Sequence, residues 1–375
     1  FKKLNTFNLP DSTITDGSKY FVTALYTGND TARSIDNTIT DGSNPQVETG
    51  EAIKFSPDFV WLKARTGGSY SHHLVDTVRG NNKFLRCNTN AGEGTSTDQV
   101  TSFDANGFSL GADSAGPNDR EVNESGRPMV AWNWRGSDST AASIASGSID
   151  GTNPTIASTV SANPTAGFSI VTYTGTGSNA TIGHGLGIAP KTVIVKARNY
   201  SAGFPTQIDG TYGLRLSETG ANDTANGNVF FQNTTPTTSV FSVGTSDETN
   251  ESGYNYVAYC FAEVEGYSKI SSYTGNGSAD GPFVYTGFRP AFIMFRSTSL
   301  CNWVIVDSAR STFNVMDDSL YPNTSGSEIT TITDVDFLSN GFKWRANLPN
   351  ETNASGQTYV YMAFAENPFK NSNAR

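Results

Sequence analysis

The sequence predicts an all-β protein made of three tandem β-sandwich repeat domains of jelly-roll-like type. Composition is the first observation behind this prediction, because only 16% of the 375 residues are charged and 36% are hydrophobic, while 37 residues are glycine. A helical protein would be richer in Ala, Leu, Glu and Lys, and a disordered one would lack the 11% of aromatic residues. Internal repetition is the second observation, and it decides the architecture.

The repeated unit opens with Tyr-Thr-Gly and closes with Asn-x-Ser-Gly. The opening motifs begin at Tyr26, Tyr173 and Tyr273. The closing motifs begin at Asn123, Asn250 and Asn353. An alternating strand rich in aromatic residues follows each closing motif, which is typical of a strand with two packed faces.

A proline that leads an apolar run lies between the two motifs of each copy. These prolines are Pro57, Pro190 and Pro290, and the closing glycine stands 69, 63 and 66 residues further on. Such constant spacing predicts equivalent copies, each with several short strands bounded by Gly, Asn, Asp and Ser turns. Because a unit of about 100 residues can hold its own core, we expect separate domains in series.

The domain boundaries follow from these landmarks. We expect, in chain order, a lead segment at 1–20, repeats at 21–136, 167–270 and 271–367, and a tail at 368–375. Residues 137–166 contain almost no large apolar residue, which predicts a linker or arm that is mobile or extended against a neighbouring subunit. Since the chain begins with Phe1 and not with Met, we also expect that a leading segment precedes it.

Charge and hydropathy argue against two kinds of partner. There are 25 Lys and Arg against 35 Asp and Glu, so the formal net charge is −10. Nucleic acid is therefore not expected as a partner, because phosphate binding needs a basic surface. No apolar stretch approaches the length of a membrane-spanning helix, so we expect no membrane insertion.

Two motifs imitate enzyme signatures. Gly107 to Gly111 matches the nucleophile elbow around Ser109, but that motif needs a strand-to-helix turn, and the other copies carry Ser242 and Lys343 here. The segment 175–180 imitates a phosphate-binding glycine fingerprint, but no helix is predicted after it. We therefore predict that the protein is not an enzyme and has no catalytic or cofactor-binding residue and no cofactor.

The chain contains few residues that could ligate a metal ion. Cys87, Cys260 and Cys301 have no metal-like spacing and are expected to be small buried thiols. The pair His72 and His73 is predicted to lie in a solvent-exposed hairpin loop, and His184 lies in a glycine-rich loop. The acidic segments 113–119 and 334–336 lack the spacing of a calcium loop, so solvated turns are favoured over a metal site.

Two further patterns are interpreted as structural. Asp76 with Arg79 and Asp307 with Arg310 share a spacing that a turn can close into an ion pair, whereas copy two has Asp209 without the arginine. The aromatic side chains of Trp132, Trp134 and Trp344 could stack on sugars or bases. In a closing strand, however, such residues more often face the core on one side and a neighbouring domain on the other.

In combination, these landmarks resemble a known family. The segments that carry the resemblance are the three Tyr-Thr-Gly motifs, the run from Pro57 to Arg65, Asp-Thr-Val-Arg-Gly at 76–80, Asn-Gly-Phe-Ser-Leu-Gly at 106–111, Ile-Gly-His-Gly-Leu-Gly at 182–187 and Val-Ala-Tyr-Cys-Phe at 257–261. They are similar to the repeat-bearing virion structural or tail-fibre-like proteins of marine tailed bacteriophages, from about residue 20 to residue 369. The resemblance implies a component of the phage particle, and by the habit of phage fibres a homotrimer. It defines no binding residue.

We therefore expect a virion structural protein on the surface of the extracellular particle, assembled in the host cytoplasm. The first hypothesis is a tail-fibre or receptor-binding appendage that mediates host attachment, with other virion proteins and a host-surface glycan or protein as partners. One alternative is a capsid decoration or head-fibre protein. Another is a carbohydrate-binding or depolymerase module of the appendage, which would need clustered carboxylates or an exposed aromatic platform.

Overall fold

Strands are the dominant regular structure, and they pair antiparallel in every sheet of the described residues. The computed structural model describes residues 12–36, 49–50, 53–113, 121–137, 141–147, 154–208, 212–220, 229–330, 334–345 and 351–368. Helical segments are short, such as the 3₁₀ turn Gly17–Lys19 and the helix α1 at Asp247–Asn250. The all-β fold class is confirmed.

Copy one is a sandwich of a seven-stranded and a three-stranded sheet. The larger sheet has the order β3 (Thr49–Gly50), β1 (Phe21–Thr27), β10 (Pro128–Trp134), β4 (Phe59–Ala64), β5 (His73–Asp76), β6 (Lys83–Arg86) and β7 (Gly94–Thr95). The smaller sheet has the order β2 (Arg33–Asp36), β9 (Gly107–Leu110) and β8 (Val100–Asp104). Their facing side chains, including Val60, Leu62 and Phe108, form a buried core.

Copy two repeats this plan with a seven-stranded and a two-stranded sheet. The larger sheet has the order β11 (Ala142–Ile144), β12 (Ser158–Asn163), β13 (Phe168–Thr174), β19 (Asn255–Phe261), β15 (Thr192–Ala197), β16 (Pro205–Ile208) and β17 (Tyr212–Arg215). The smaller sheet pairs β14 (Ala180–Gly183) with β18 (Val240–Val243). Val193, Val195 and Phe241 belong to the core between them.

Copy three has a four-stranded and a three-stranded sheet. The larger sheet has the order β20 (Ser268–Thr274), β26 (Thr358–Pro368), β22 (Phe288–Ser297) and β23 (Val304–Asp307). The smaller sheet has the order β21 (Phe283–Tyr285), β25 (Gly341–Trp344) and β24 (Val335–Leu338). The orders β1-β10-β4-β5, β13-β19-β15-β16 and β20-β26-β22-β23 are equivalent, so the three copies share one topology.

The opening and closing motifs meet at one corner of each sandwich. The hydroxyl groups of Tyr26, Tyr173 and Tyr273 donate hydrogen bonds to the carbonyls of Val122, Thr249 and Thr352, at 2.7, 2.7 and 2.8 Å. The next residue is the closing asparagine, and the amide of Asn250, for example, donates to the carbonyls of Ser178 and Gly244. Glycine is required in the opening motif because a Cβ on Gly28 would stand 2.0 Å from the carbonyl oxygen of Glu124. The three tyrosines therefore occupy equivalent positions, as predicted.

The second faces of the three larger sheets pack against one another in the centre of the molecule. Ring centroids are 4.5 Å apart for Phe59 and Tyr259, which belong to copies one and two. They are 5.8 Å apart for Trp134 and Phe292, which belong to copies one and three. One buried cluster contains side chains from all three copies, and it encloses a void of about 10 Å³, the space of about one water molecule.

The expectation of separate domains in series is therefore wrong. Each larger sheet is apolar on both faces, so a single sandwich would expose half of its apolar surface. Strand β4 shows this pattern, since all six of its residues are buried. The other two copies cover the second face, and the three sandwiches form one body.

The interpretation of residues 137–166 as a linker or arm also needs correction. Strand β12 pairs with β13 along Ser158 to Asn163, and β11 adds a further edge strand. The carbonyl of Asn163 accepts the N–H of Gly167 and its side chain accepts that of Ala166, which closes the hairpin. Small polar residues are sufficient here because backbone pairing supplies the order. The segments 138–140 and 148–153 lie outside the described residues.

Candidate functional site

Copies one and two meet through a buried network of charges. Arg79 binds Asp76 at 2.5 Å and Glu93 at 3.1 Å, and Glu93 also binds Arg198 of copy two at 2.9 Å. The hydroxyl of Tyr259, from copy two, donates to Asp76 at 2.9 Å. Burial of Arg79 lowers its pKa, but the neighbouring Asp76, Tyr259 and Glu93 together outweigh this effect, and the pKa of Arg79 is raised above its ordinary value.

Copies three and one meet through the equivalent network. Arg310 binds Asp307 at 2.6 Å and Glu328 at 3.0 Å, and Glu328 also binds Arg65 of copy one at 2.7 Å. The indole N–H of Trp132 donates to Asp307 at 3.0 Å, in the place of the Tyr259 hydroxyl. The ion pairs predicted from the Asp-x-x-Arg spacing are thus confirmed, and each also connects two copies.

Among the residues that the structure describes, copies two and three meet without this network. The strand register places Ile208, and not Asp209, at the position of Asp76 and Asp307, so the match made from the sequence was wrong by one residue. Met362 stands where the other copies have Trp132 and Tyr259, and both Ile208 and Met362 belong to the central core. This interface therefore replaces a polar pair by two apolar residues. Asp209 itself lies outside the described residues.

Three buried cations complete the contacts between copies in one cyclic order. Lys63 of copy one donates to the carbonyl of Ser325 in copy three at 3.4 Å, and Lys196 of copy two donates to that of Asn90 in copy one at 3.0 Å. Arg296 of copy three donates to carbonyls of copy two, including that of Thr219 at 2.9 Å. Burial lowers the pKa of Lys63 and of Lys196 to about 8. These groups are used to join copies and are not open to a substrate.

The histidines are buried, so the predicted solvent exposure of the loop at His72 and His73 is wrong. The Nδ1 of His72 accepts the indole N–H of Trp61 at 2.9 Å, which leaves Nε2 to donate to the carbonyl of Tyr321 in copy three at 3.1 Å. His73 contacts Glu121. A segment more than 240 residues away in sequence covers this loop, so the local sequence pattern does not predict the burial of the histidines. The ring of His184 is fixed by the carbonyl of Thr237 at 3.1 Å.

Two buried histidines predict that acid destabilises the fold. Burial lowers the pKa of His72 well below 6.5 and that of His184 to about 4. Because the folded state keeps them neutral, their contribution is complete above the unfolded pKa near 6.5 and is lost as the pH falls toward the folded pKa. Between its folded and unfolded pKa values, each such histidine lowers the free energy of unfolding by about 1.4 kcal/mol for every pH unit of acidification.

Urea denaturation between pH 7.5 and pH 4.5 measures this effect. As the pH falls, the free energy of unfolding of the His184→Gln variant should decrease less steeply than that of the parent. The difference should equal the contribution of one histidine. Parallel curves for the parent and the variant would contradict the assignment.

The two enzyme-like motifs have structural surroundings. Ser109 lies in strand β9, and its hydroxyl donates to Asp104 at 2.6 Å and contacts that of Ser34 at 2.8 Å. Ser109 is paired with Ser34 and Ser102 inside the sheet and does not stand at a strand-to-helix turn, so the geometry of a nucleophile elbow is not formed at this residue. In the glycine-rich loop, the backbone N–H of Thr176 is bound by the closing Asn250 at 2.9 Å.

Thiols, acidic segments and tryptophans are also accounted for. Cys87, Cys260 and Cys301 are free and buried, as predicted. The prediction of solvated acidic turns is wrong for Asp113 and Asp336, which are both buried. Asp113 accepts the backbone N–H groups of Val122 and Asn123, and Asp336 lies in strand β24, whereas residues 114–120 lie outside the described part. Among the described residues no group of three or more His, Cys, Asp or Glu could hold a metal ion. Trp132 and Trp134 face the neighbouring copies, as the closing-strand pattern predicted, whereas Trp344 lies in strand β25, outside the closing strand, and belongs to the core of copy three.

An exposed aromatic face on copy three was missed in the sequence. Phe283 and Tyr285 in strand β21 are 45% and 60% exposed, and the intervening Val284 is buried. The exposed aromatic pair can be recognised when the three copies are aligned by strand pairing. The equivalent strands read Ser34-Ile35-Asp36 in copy one and Thr181-Ile182-Gly183 in copy two. Only copy three carries two aromatic residues around the buried central position. This face is the candidate binding site.

The comparisons with known proteins give a family and no function. A family model described as "Domain of unknown function (DUF7483)" matches residues 16–368. No curated protein and no solved structure matches the chain. Within the described residues, no helix is long and apolar enough to span a membrane.

Proposed function

Since the chain belongs to the family of DUF7483 domains, to which no function is attached, we propose from its sequence landmarks and architecture that it is a bacteriophage virion structural protein. We place it in a tail fibre or receptor-binding appendage that mediates host attachment. The observation that carries this proposal is the fusion of three sandwiches around one core. Such a body leaves the outer sheets and the loops as surface for partners.

The distribution of reactive groups supports a structural and binding role. The buried side chains of Arg79, Arg310, Lys196 and His184 contact other copies or backbone carbonyls, and the three thiols are buried. A binding surface needs no such groups, whereas a hydrolytic site needs them to be accessible. The partners that we propose are other virion proteins, a host-surface glycan or protein, and further copies of this chain in a homo-oligomer, with a trimer expected from the resemblance.

Immunogold electron microscopy of purified particles tests the proposal. Antibodies against the chain should label the tail region, and preincubation of host cells with the purified protein should reduce phage adsorption. Label on the capsid would reject the attachment role and favour the head-decoration alternative. Particles without label would contradict a virion protein of any kind.

A further inference from the structure

The outer face of the small sheet in copy three has the layout of a sugar-binding surface. Side chains alternate along a strand, so Phe283 and Tyr285 project from the same face, about 7 Å apart along β21. The ring of Phe283 lies over Gly341, because a Cβ at that glycine would come within 2.9 Å of it. Two aromatic side chains therefore project from the same face of the strand and are partly open to solvent.

Hydrogen-bonding groups lie beside the two rings. Lys343 is directly opposite Phe283 in the sheet and binds Asp280 at 2.8 Å. Asp336 is the next residue across and binds Arg345 at 2.5 Å. The row thus offers both donors and acceptors, and its two cations are balanced by two carboxylates.

The other copies show that the fold does not require exposed aromatic residues here. In copy one the equivalent face is polar, with the hydroxyls of Ser34 and Ser109 2.8 Å apart. In copy two the edge of the equivalent strand is extended, since Thr155 donates its backbone N–H to the carbonyl of Thr181 at 2.9 Å, and the face itself is covered by Ile144. A Cβ on Gly183 of that strand would stand 2.8 Å from Ile144. Exposure of two large aromatic side chains is therefore a property of copy three alone, and it points to a ligand.

We propose that this face binds a neutral glycan, with pyranose rings stacked on Phe283 and Tyr285. A pyranose ring presents a C–H face that packs on an aromatic ring, and its hydroxyl groups accept from Lys343 and Arg345 and donate to Asp280, whose side chain is 81% exposed. The balanced charges of the face and the net charge of −10 both disfavour a polyanionic ligand. The inference rests on the proposed attachment role, for which it names the receptor chemistry.

A printed array of neutral and anionic oligosaccharides, probed with the full-length protein, tests the inference. Neutral pyranose glycans should bind, and Tyr285→Ala and Phe283→Ala should each weaken the best neutral ligand at least tenfold in calorimetric titration. Leu300→Ala is the matched control, because this 70% exposed residue lies on another loop of copy three and its loss should leave affinity unchanged. Tyr285→Ala should keep the parental unfolding temperature, since Tyr285 is 60% exposed, and Phe283→Ala should lower it only slightly, since Phe283 is 45% exposed.

Three outcomes would overturn the inference. They are binding to anionic glycans only, no glycan binding at all, and self-association that Tyr285→Ala abolishes, which would make the face an interface between copies of this chain. Failure of the inference is separable from failure of the proposed function. Tail labelling without glycan binding would reject the glycan ligand and keep the virion function. Glycan binding by a protein that is absent from the particles would keep the glycan ligand and reject the virion function.

Discussion

Replacement of Trp134 by alanine is expected to lower the free energy of unfolding by about 3–5 kcal/mol, the range for a large aromatic residue removed from a core. Trp134 is almost completely buried, and its ring lies among aromatic rings of all three copies. The centroid distances are 5.3 Å to Phe59, 6.1 Å to Phe261 and 5.8 Å to Phe292. The cavity would open at the centre of the molecule, where no single copy can close it.

Urea denaturation followed by circular dichroism measures this loss. Trp134→Phe keeps a ring in the same place and should cost clearly less than Trp134→Ala. Hydrogen exchange adds a test of location, because protection in β19 and β26 should fall together with that in β10. A destabilised copy one beside unchanged protection in the other two copies would contradict the shared core.

Replacement of Arg310 by methionine is expected to destabilise the protein by a similar amount, about 3–5 kcal/mol, because the buried carboxylate of Asp307 would lose its cation. The side chains of Arg310 and Asp307 are both fully buried. Arg310 also binds the carbonyl of Ile305 at 3.0 Å and Glu328, so its loss leaves several polar groups without a partner.

Copy two supplies the compensating variant for this experiment. Ile208 occupies the position of Asp307 there, within an apolar interface. The double variant Asp307→Ile with Arg310→Met removes both charges and should therefore recover part of the stability that Arg310→Met loses. Equal stability of the parent and Arg310→Met, or a double variant that is less stable than the single one, would contradict a buried ion pair at this interface.

Much of each copy follows from sequence because its signals are local. The Tyr-Thr-Gly and Asn-x-Ser-Gly motifs predict equivalent positions, since both are tied to one hydrogen-bonded corner. The Asp-x-x-Arg spacing predicts an ion pair because three residues of turn bring the two side chains together.

The arrangement of the copies does not follow from local signals. The alternating pattern of the strand that contains Trp132 and Trp134 predicts a neighbouring domain on one face. This pattern does not predict that copies two and three both pack there and share one core with copy one. His72 is covered by Tyr321, and Ile208 takes the place of Asp76 through a one-residue difference in register. The aromatic face at Phe283 becomes visible only when the three copies are aligned by strand pairing.

Differential scanning calorimetry of the full chain tests most directly the central claim that the three sandwiches form one body around a common core. The shared cluster predicts a single unfolding transition in which the calorimetric enthalpy equals the van't Hoff enthalpy. Two or three resolved transitions, or a calorimetric enthalpy two to three times the van't Hoff value, would show sandwiches that unfold independently and would contradict the shared core.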